Sequence, residues 1–208
     1  MISLQEFDDL INRVSIHASD KERNFLDSAR EFYLTKGKLT PGQQSWIDSI
    51  SDKYSPEKIA EAVLWQQSWS EENRSVARKV AKYYEANPPY FSNYVARINA
   101  EPETFFLSKK EWDKLCENKY AKKILKEYDS PARFNVGQTV QIRANNKVRR
   151  ANYDRSLGRI AQRVGFVLEV NALPITRAAK GSKIYKVLLA GETSPIFCHE
   201  ADLKFKRG

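Results

Sequence analysis

Cysteine and histidine are scarce, with two of each in 208 residues. Cys116 and Cys198 stand far apart in the chain, which leaves no disulfide framework and fits a reducing compartment. With His17 and His199 they make up the whole His and Cys supply, so a zinc site would have to be gathered from three distant segments. Cys198 and His199 are adjacent in a predicted strand and therefore point to opposite faces. The simpler expectation is a buried Cys198 beside a surface His199. No G-x-S-x-G, H-E-x-x-H or G-x-x-x-x-G-K occurs. The adjacent acids Asp8-Asp9 and Glu71-Glu72 fit the first turns of helices, where carboxylates complement the dipole, better than a catalytic pair. Long apolar runs are missing too, none approaching the ~20 residues of a bilayer span. Met1 to Leu10 carries Glu6, Asp8 and Asp9 without a base, unlike a secretory signal. These absences predict a soluble, cytoplasmic, non-enzymatic protein with no catalytic, cofactor-binding or metal-binding residue to nominate. A metal-dependent nuclease would need distant carboxylates to converge.

What the chain does have is enough apolar content, 41%, to sustain a core, and a length that suits one large domain or two small ones. Its charge is unevenly placed. Residues 1–130 carry 20 Lys+Arg against 21 Asp+Glu, and residues 131–208 carry 15 against 5. The whole positive excess of +9 therefore comes from the last third. Such an asymmetry points to a polyanionic partner, with nucleic acid (DNA or RNA) ahead of an acidic protein surface.

The first part is written in helix-start grammar. Ser19-Asp20-Lys21-Glu22 and Ser108-Lys109-Lys110-Glu111 are capping boxes. Thr40-Pro41 and Ser55-Pro56 place Pro at the first helical position, and Ser70-Glu71-Glu72 opens another helix. Gly37 ends the helix begun at Ser19, and Pro88-Pro89 breaks the pattern before shorter helices over Tyr90–Asn99 and Tyr120–Glu127. The period changes near Asp129-Ser130-Pro131. Beyond it, strands are predicted over 139–143, 165–170, 183–189, 195–198 and 202–205, alternating with period two. The expected fold is α+β: an all-α domain over 1–129, then a small basic β-barrel over 130–208. Trp46, Trp65, Trp69 and Trp112 all fall on predicted helices, where aromatics are usually core. Trp65 and Trp69, four apart, would share one face and offer a patch for a protein partner.

Two basic groups mark the β-rich part. Arg143, Lys147, Arg149, Arg150, Arg155, Arg159 and Arg163 lie within one strand and one loop, with Tyr153 among them. Arg and Lys neutralise phosphates, and an aromatic in a basic loop can stack on an unpaired base. Arg177, Lys180, Lys183 and Lys186 form the second group, read as a hairpin whose charges face outward.

The elements Phe134-x-x-Gly137-x-x-Val140, Gly165-x-Val167-x-x-Val170, Tyr185-x-Val187 and Glu200-x-x-Leu203 resemble SH3-like small barrels, including the KOW-type domains of translation and transcription proteins. In those barrels the first element enters the sheet, the Gly-led strand follows a long loop, and Glu-x-x-Leu closes the chain. The stretch Asn24-Phe25-Leu26-Asp27-Ser28, with Leu39-Thr40-Pro41-x-Gln43-x-x-Trp46-Ile47-x-x-Ile50, looks like segments of bacteriophage-encoded replication and DNA-processing proteins. These resemblances imply a nucleic-acid-binding accessory protein. The alternative is a protein–protein adaptor whose barrel recognises an acidic surface.

Overall fold

The computed structural model describes residues 3–15, 17–143 and 160–206. Among them, eight helices precede five strands, in keeping with an α+β chain. The helices are α1 (Leu4–Val14), α2 (Asp20–Lys36), α3 (Pro41–Lys53), α4 (Pro56–Ser68), α5 (Glu71–Glu85), α6 (Ser92–Ala100), α7 (Lys109–Cys116) and α8 (Lys119–Asp129). The strands are β1 (Thr139–Ile142), β2 (Val164–Val170), β3 (Ile184–Leu189), β4 (Ile196–His199) and β5 (Leu203–Phe205).

The caps decide where helices begin. At α2 the Ser19 hydroxyl accepts from the Glu22 N–H while the Glu22 carboxylate accepts from the Ser19 N–H, so two otherwise orphaned donors are satisfied. The same reciprocal pair opens α1, α3, α5 and α7. Gly37 closes α2 in the left-handed conformation, φ 66°. Helix α1 was not among the predicted elements, although Ser3-x-x-Glu6 carries the capping signal. Asp8 and Asp9 therefore lie past a first turn, and Asp8 accepts from the Arg30 guanidinium of α2 instead.

The chain divides into two compact units, Met1–Ser68 and Trp69–Gly208. In the first, Phe7, Leu10 and Val14 of α1 meet Leu26 and Ala29 of α2 and Ile47 and Ile50 of α3, a core built from residues three and four apart. Glu22 also bridges to the end of α3, accepting from Lys53 (2.7 Å) and the Tyr54 hydroxyl (3.0 Å). Helix α4 buries no side chain; only half-buried Ile59 reaches that core, and Val63 and Leu64 are exposed. Trp46 lies at the edge of the unit rather than inside it, 37% exposed, its ring 3.8 Å from that of Phe25.

The second unit holds α5–α8 and the sheet. The densest packing breaks at 68/69 rather than at the expected 129/130, because the β2–β3 connection belongs to the helices as much as to the strands. Ile175 of that connection is buried among Val80, Tyr84, Leu115 and Ile124 of the helical cluster, and its N–H donates to the Tyr128 hydroxyl at 2.8 Å. Asn87 donates to the Thr176 carbonyl. Glu127 of α8, itself buried, accepts from the N–H groups of Gly181 (2.7 Å) and Ser182 (3.2 Å). Trp69 falls just after α4, not on it, and packs edge-on against Phe105, Phe106 and Trp112.

The sheet is antiparallel, in the order β4-β3-β2-β1-β5. Val140, Ile142, Val167, Tyr185, Val187, Leu189, Cys198 and Leu203 line its inner face with Phe134 beneath them. A bulge at Leu168 shifts the β2 register and puts Glu169 opposite Lys186. Gly165 is required at its position: a Cβ there would lie 2.5 Å from the Leu188 carbonyl oxygen of β3.

Candidate nucleic-acid interface

The structure separates the nominated basic residues by what each already holds. Lys147, Arg149, Arg150, Tyr153, Arg155 and Arg159 lie outside the described residues. Arg143 follows β1 half-buried, its backbone N–H on the Asp202 carbonyl and its Nε 2.8 Å from the Leu203 carbonyl oxygen, which ties the end of β1 to β5. Arg163 reaches across to the β3–β4 turn, where it pairs with Glu192 (2.6 Å) and donates to the Ala190 carbonyl (2.9 Å). Arg177 is half-buried and Lys180 is exposed.

Lys183 is a correction to the outward-facing hairpin. It is 1% exposed, and its ammonium donates to the Tyr128 carbonyl at the end of α8 (3.1 Å). The reason is the docking of the β2–β3 connection on α8, which encloses the start of β3. The same connection covers the end of β4. His199 is accordingly buried, with Nδ1 3.1 Å from the Ser182 carbonyl oxygen, rather than on the surface as alternation alone suggests.

One basic surface is assembled from residues that sequence reasoning did not pair. Lys123 and Lys126 of α8 come together with Lys180 around a cavity of about 580 Å³, which Ser130, Pro131 and Ala179 also line. Two carboxylates border it, and internal donors hold both. Glu127 serves the Gly181 and Ser182 amides. Glu200 accepts from the Tyr185 hydroxyl (2.8 Å) and the Arg133 N–H (3.0 Å). Burial, with the Glu200 carboxylate beside it, pushes the Tyr185 phenol up, so it stays protonated as that donor. The three lysines are exposed cations facing a concave surface, the arrangement that concentrates phosphate. The clue was present in Lys119-Tyr-Ala-Lys-Lys-Ile-Leu-Lys126, four lysines on about two turns of helix. Summing charge over residues 1–130 concealed it.

Covalent chemistry finds no nucleophile in the cysteines. Burial pushes the Cys116 thiol up to about 12 and raises that of Cys198 as well, so neither forms a thiolate at neutral pH. Among the described residues no group of three or more His, Cys, Asp or Glu side chains is placed to hold a metal ion. Among them, too, no helix is long and apolar enough to cross a membrane. Compared with protein-family models, curated proteins and solved structures, the chain matches none.

Proposed function

We propose that the protein is a non-enzymatic nucleic-acid-binding accessory protein of phage or mobile-element type, working in the cytoplasm. The observation that carries this reading is the segregation of charge, 15 Lys+Arg against 5 Asp+Glu in residues 131–208. The cavity shared by Lys123, Lys126 and Lys180 adds a concave face where lysines are exposed and the acids are engaged internally. An SH3-like character of the sheet draws support from three features. The Gly165-led strand follows a long connection, β1 to β4 pair in succession, and Glu200-x-x-Leu203 leads into β5, which returns to β1.

The adaptor reading has one observation of its own. The outer face of the sheet carries exposed Phe166 and Leu168, with Leu188 opposite Phe166 on β3, an apolar surface of the kind protein partners cover.

Fluorescence anisotropy of the full chain with labelled single- and double-stranded oligonucleotides across a salt series tests the proposal. Binding should weaken steeply with salt, because each neutralised phosphate releases counterions, and it should be similar across sequences. Absence of binding to any oligonucleotide at low salt would overturn it. Capture of an acidic protein in its place, lost on Phe166→Ser, would establish the adaptor.

A further inference from the structure

Helix α8 joins the basic cavity to a second hollow of different character. A cavity of about 610 Å³ opens between the end of α5, the α5–α6 connection and the start of α8. Its walls are aromatic: Tyr83, Tyr84, Tyr90, Phe91 and Tyr120, with Lys119 at the rim. The size is that of a small-molecule site, and no carboxylate is among the described residues that line it.

The rings inside are fixed in place. Tyr83 and Tyr84 meet edge-on at 4.9 Å, and Tyr84 and Phe91 at 4.7 Å. The Tyr84 hydroxyl donates to the Asn118 side chain (2.9 Å), the residue that caps α8. Burial raises both phenols, so they stay neutral at physiological pH. Phe91 sits in the left-handed region, φ 58°, a conformation unfavourable for a bulky residue. Tyr90 and Tyr120 differ from these. They are 68% and 47% exposed, so aromatic surface at the mouth meets solvent, with the Lys119 ammonium 5.2 Å from the centre of the Tyr120 ring.

Charge then selects the ligand. Lys119, Lys123 and Lys126 recur at i, i+4 and i+7, one stripe of α8 about 10 Å long at 1.5 Å per residue. The stripe starts at the aromatic hollow and ends in the lysine-lined cavity. A planar aromatic group attached to a chain of anions fits both ends at once.

We infer that this face binds single-stranded nucleic acid, one unpaired base entering the tyrosine-walled hollow while the adjoining phosphates follow the lysines of α8. The inference rests on the nucleic-acid reading above and adds the strand state and the site. A paired base offers no free face to Tyr90 and Tyr120, so duplex cannot use the hollow.

The test uses the full chain and two probes, a labelled oligothymidine and a duplex of equal length. Single strand should bind more tightly than duplex. Tyr120→Ala should weaken single-strand binding by about tenfold, the loss of one base–aromatic stack, and leave duplex binding unchanged. Tyr120→Phe should retain it. Both rings are exposed, and far-UV circular dichroism verifies that the variants fold. Lys123→Ala with Lys126→Ala should lower the log–log salt slope by about 1.4, at ~0.7 per phosphate on a single strand. Equal binding of both probes, with Tyr90→Ala and Tyr120→Ala silent, would refute this site while leaving nucleic-acid binding intact. No binding of either probe would remove the broader proposal and this one with it. A proline-rich peptide displaced by Tyr120→Ala, with oligothymidine unaffected by the same variant, would assign the hollow to a protein ligand and overturn the inference.

Discussion

Replacing Glu127 tests whether the sheet and the helices α5–α8 stand or fall together. Its carboxylate is buried and accepts from two backbone amides of the β2–β3 connection, at 2.7 and 3.2 Å. In Glu127→Ala both N–H groups lose a charged acceptor inside the protein. Hydrogen bonds to charged groups contribute ~1.5–3 kcal/mol each. Part of that loss is offset because a buried carboxylate no longer has to be desolvated. The expected net cost is about 2–4 kcal/mol, a fall in melting temperature of roughly 4–16 °C at ~2–4 °C per kcal/mol for a chain of this size. Glu127→Gln keeps an acceptor oxygen and should lose about half as much. Thermal unfolding followed by tryptophan fluorescence reads the second unit, because Trp69 and Trp112 pack together there. If both variants melted within about 0.5 kcal/mol of the parent, the ordinary scatter of surface substitutions, the clamp would be irrelevant and the sheet would be stable without α8.

Other positions give sharper contrasts. Gly165→Ala should destabilise by about 2–3 kcal/mol, since its Cβ would meet the backbone oxygen of Leu188, which no side-chain rotation can clear; urea unfolding measures it, and a neutral result would contradict the β2–β3 spacing. Glu22 is held down to about 2 from its usual 4.5, chiefly by the Lys53 ammonium and the Ser19 hydroxyl. Its folded value lies below its unfolded one, so its contribution is complete above pH ~4.5 and fades as pH falls toward ~2. With Lys53 half exposed, that contribution is about 1–2 kcal/mol. Glu22→Gln should flatten this part of the acid-unfolding curve, and an unchanged curve would refute the assignment. Trp46→Ala should cost about 1–2 kcal/mol, below the ~3–5 of a fully buried tryptophan, because the ring lies at an edge; a thermal melt distinguishes the two.

Much of the secondary structure was readable because its causes are local. A hydroxyl three residues before a carboxylate or amide settles where a helix starts, and the strands show through side chains alternating between Phe134's core and the outside. The predicted starts at Ser19, Thr40, Ser55, Ser70 and Ser108 match helices α2, α3, α4, α5 and α7. The five predicted strands match β1–β5 within a residue or two. Helix α1 was missed although Ser3 and Glu6 carry the same signal.

The candidate site was less readable. Charge counting finds basic segments but says nothing of what each cation already holds. Arg143 and Arg163 spend hydrogen bonds on backbone carbonyls, and Lys183 is buried against α8. Lys180 joins Lys123 and Lys126 only because the 171–183 connection folds back across more than fifty residues of chain.

The sequence alone therefore determined which residues form helices and strands, where the caps lie and that the basic excess falls in the last third. Those properties depend on neighbours a few positions away. Tertiary structure alone decided that the sheet shares a unit with α5–α8, which lysines remain exposed, and that tyrosines from α5, the α5–α6 connection and α8 surround one hollow. Those outcomes depend on which apolar surfaces bury one another, and Ile175 and Glu127 meet their partners across separations that no local pattern records.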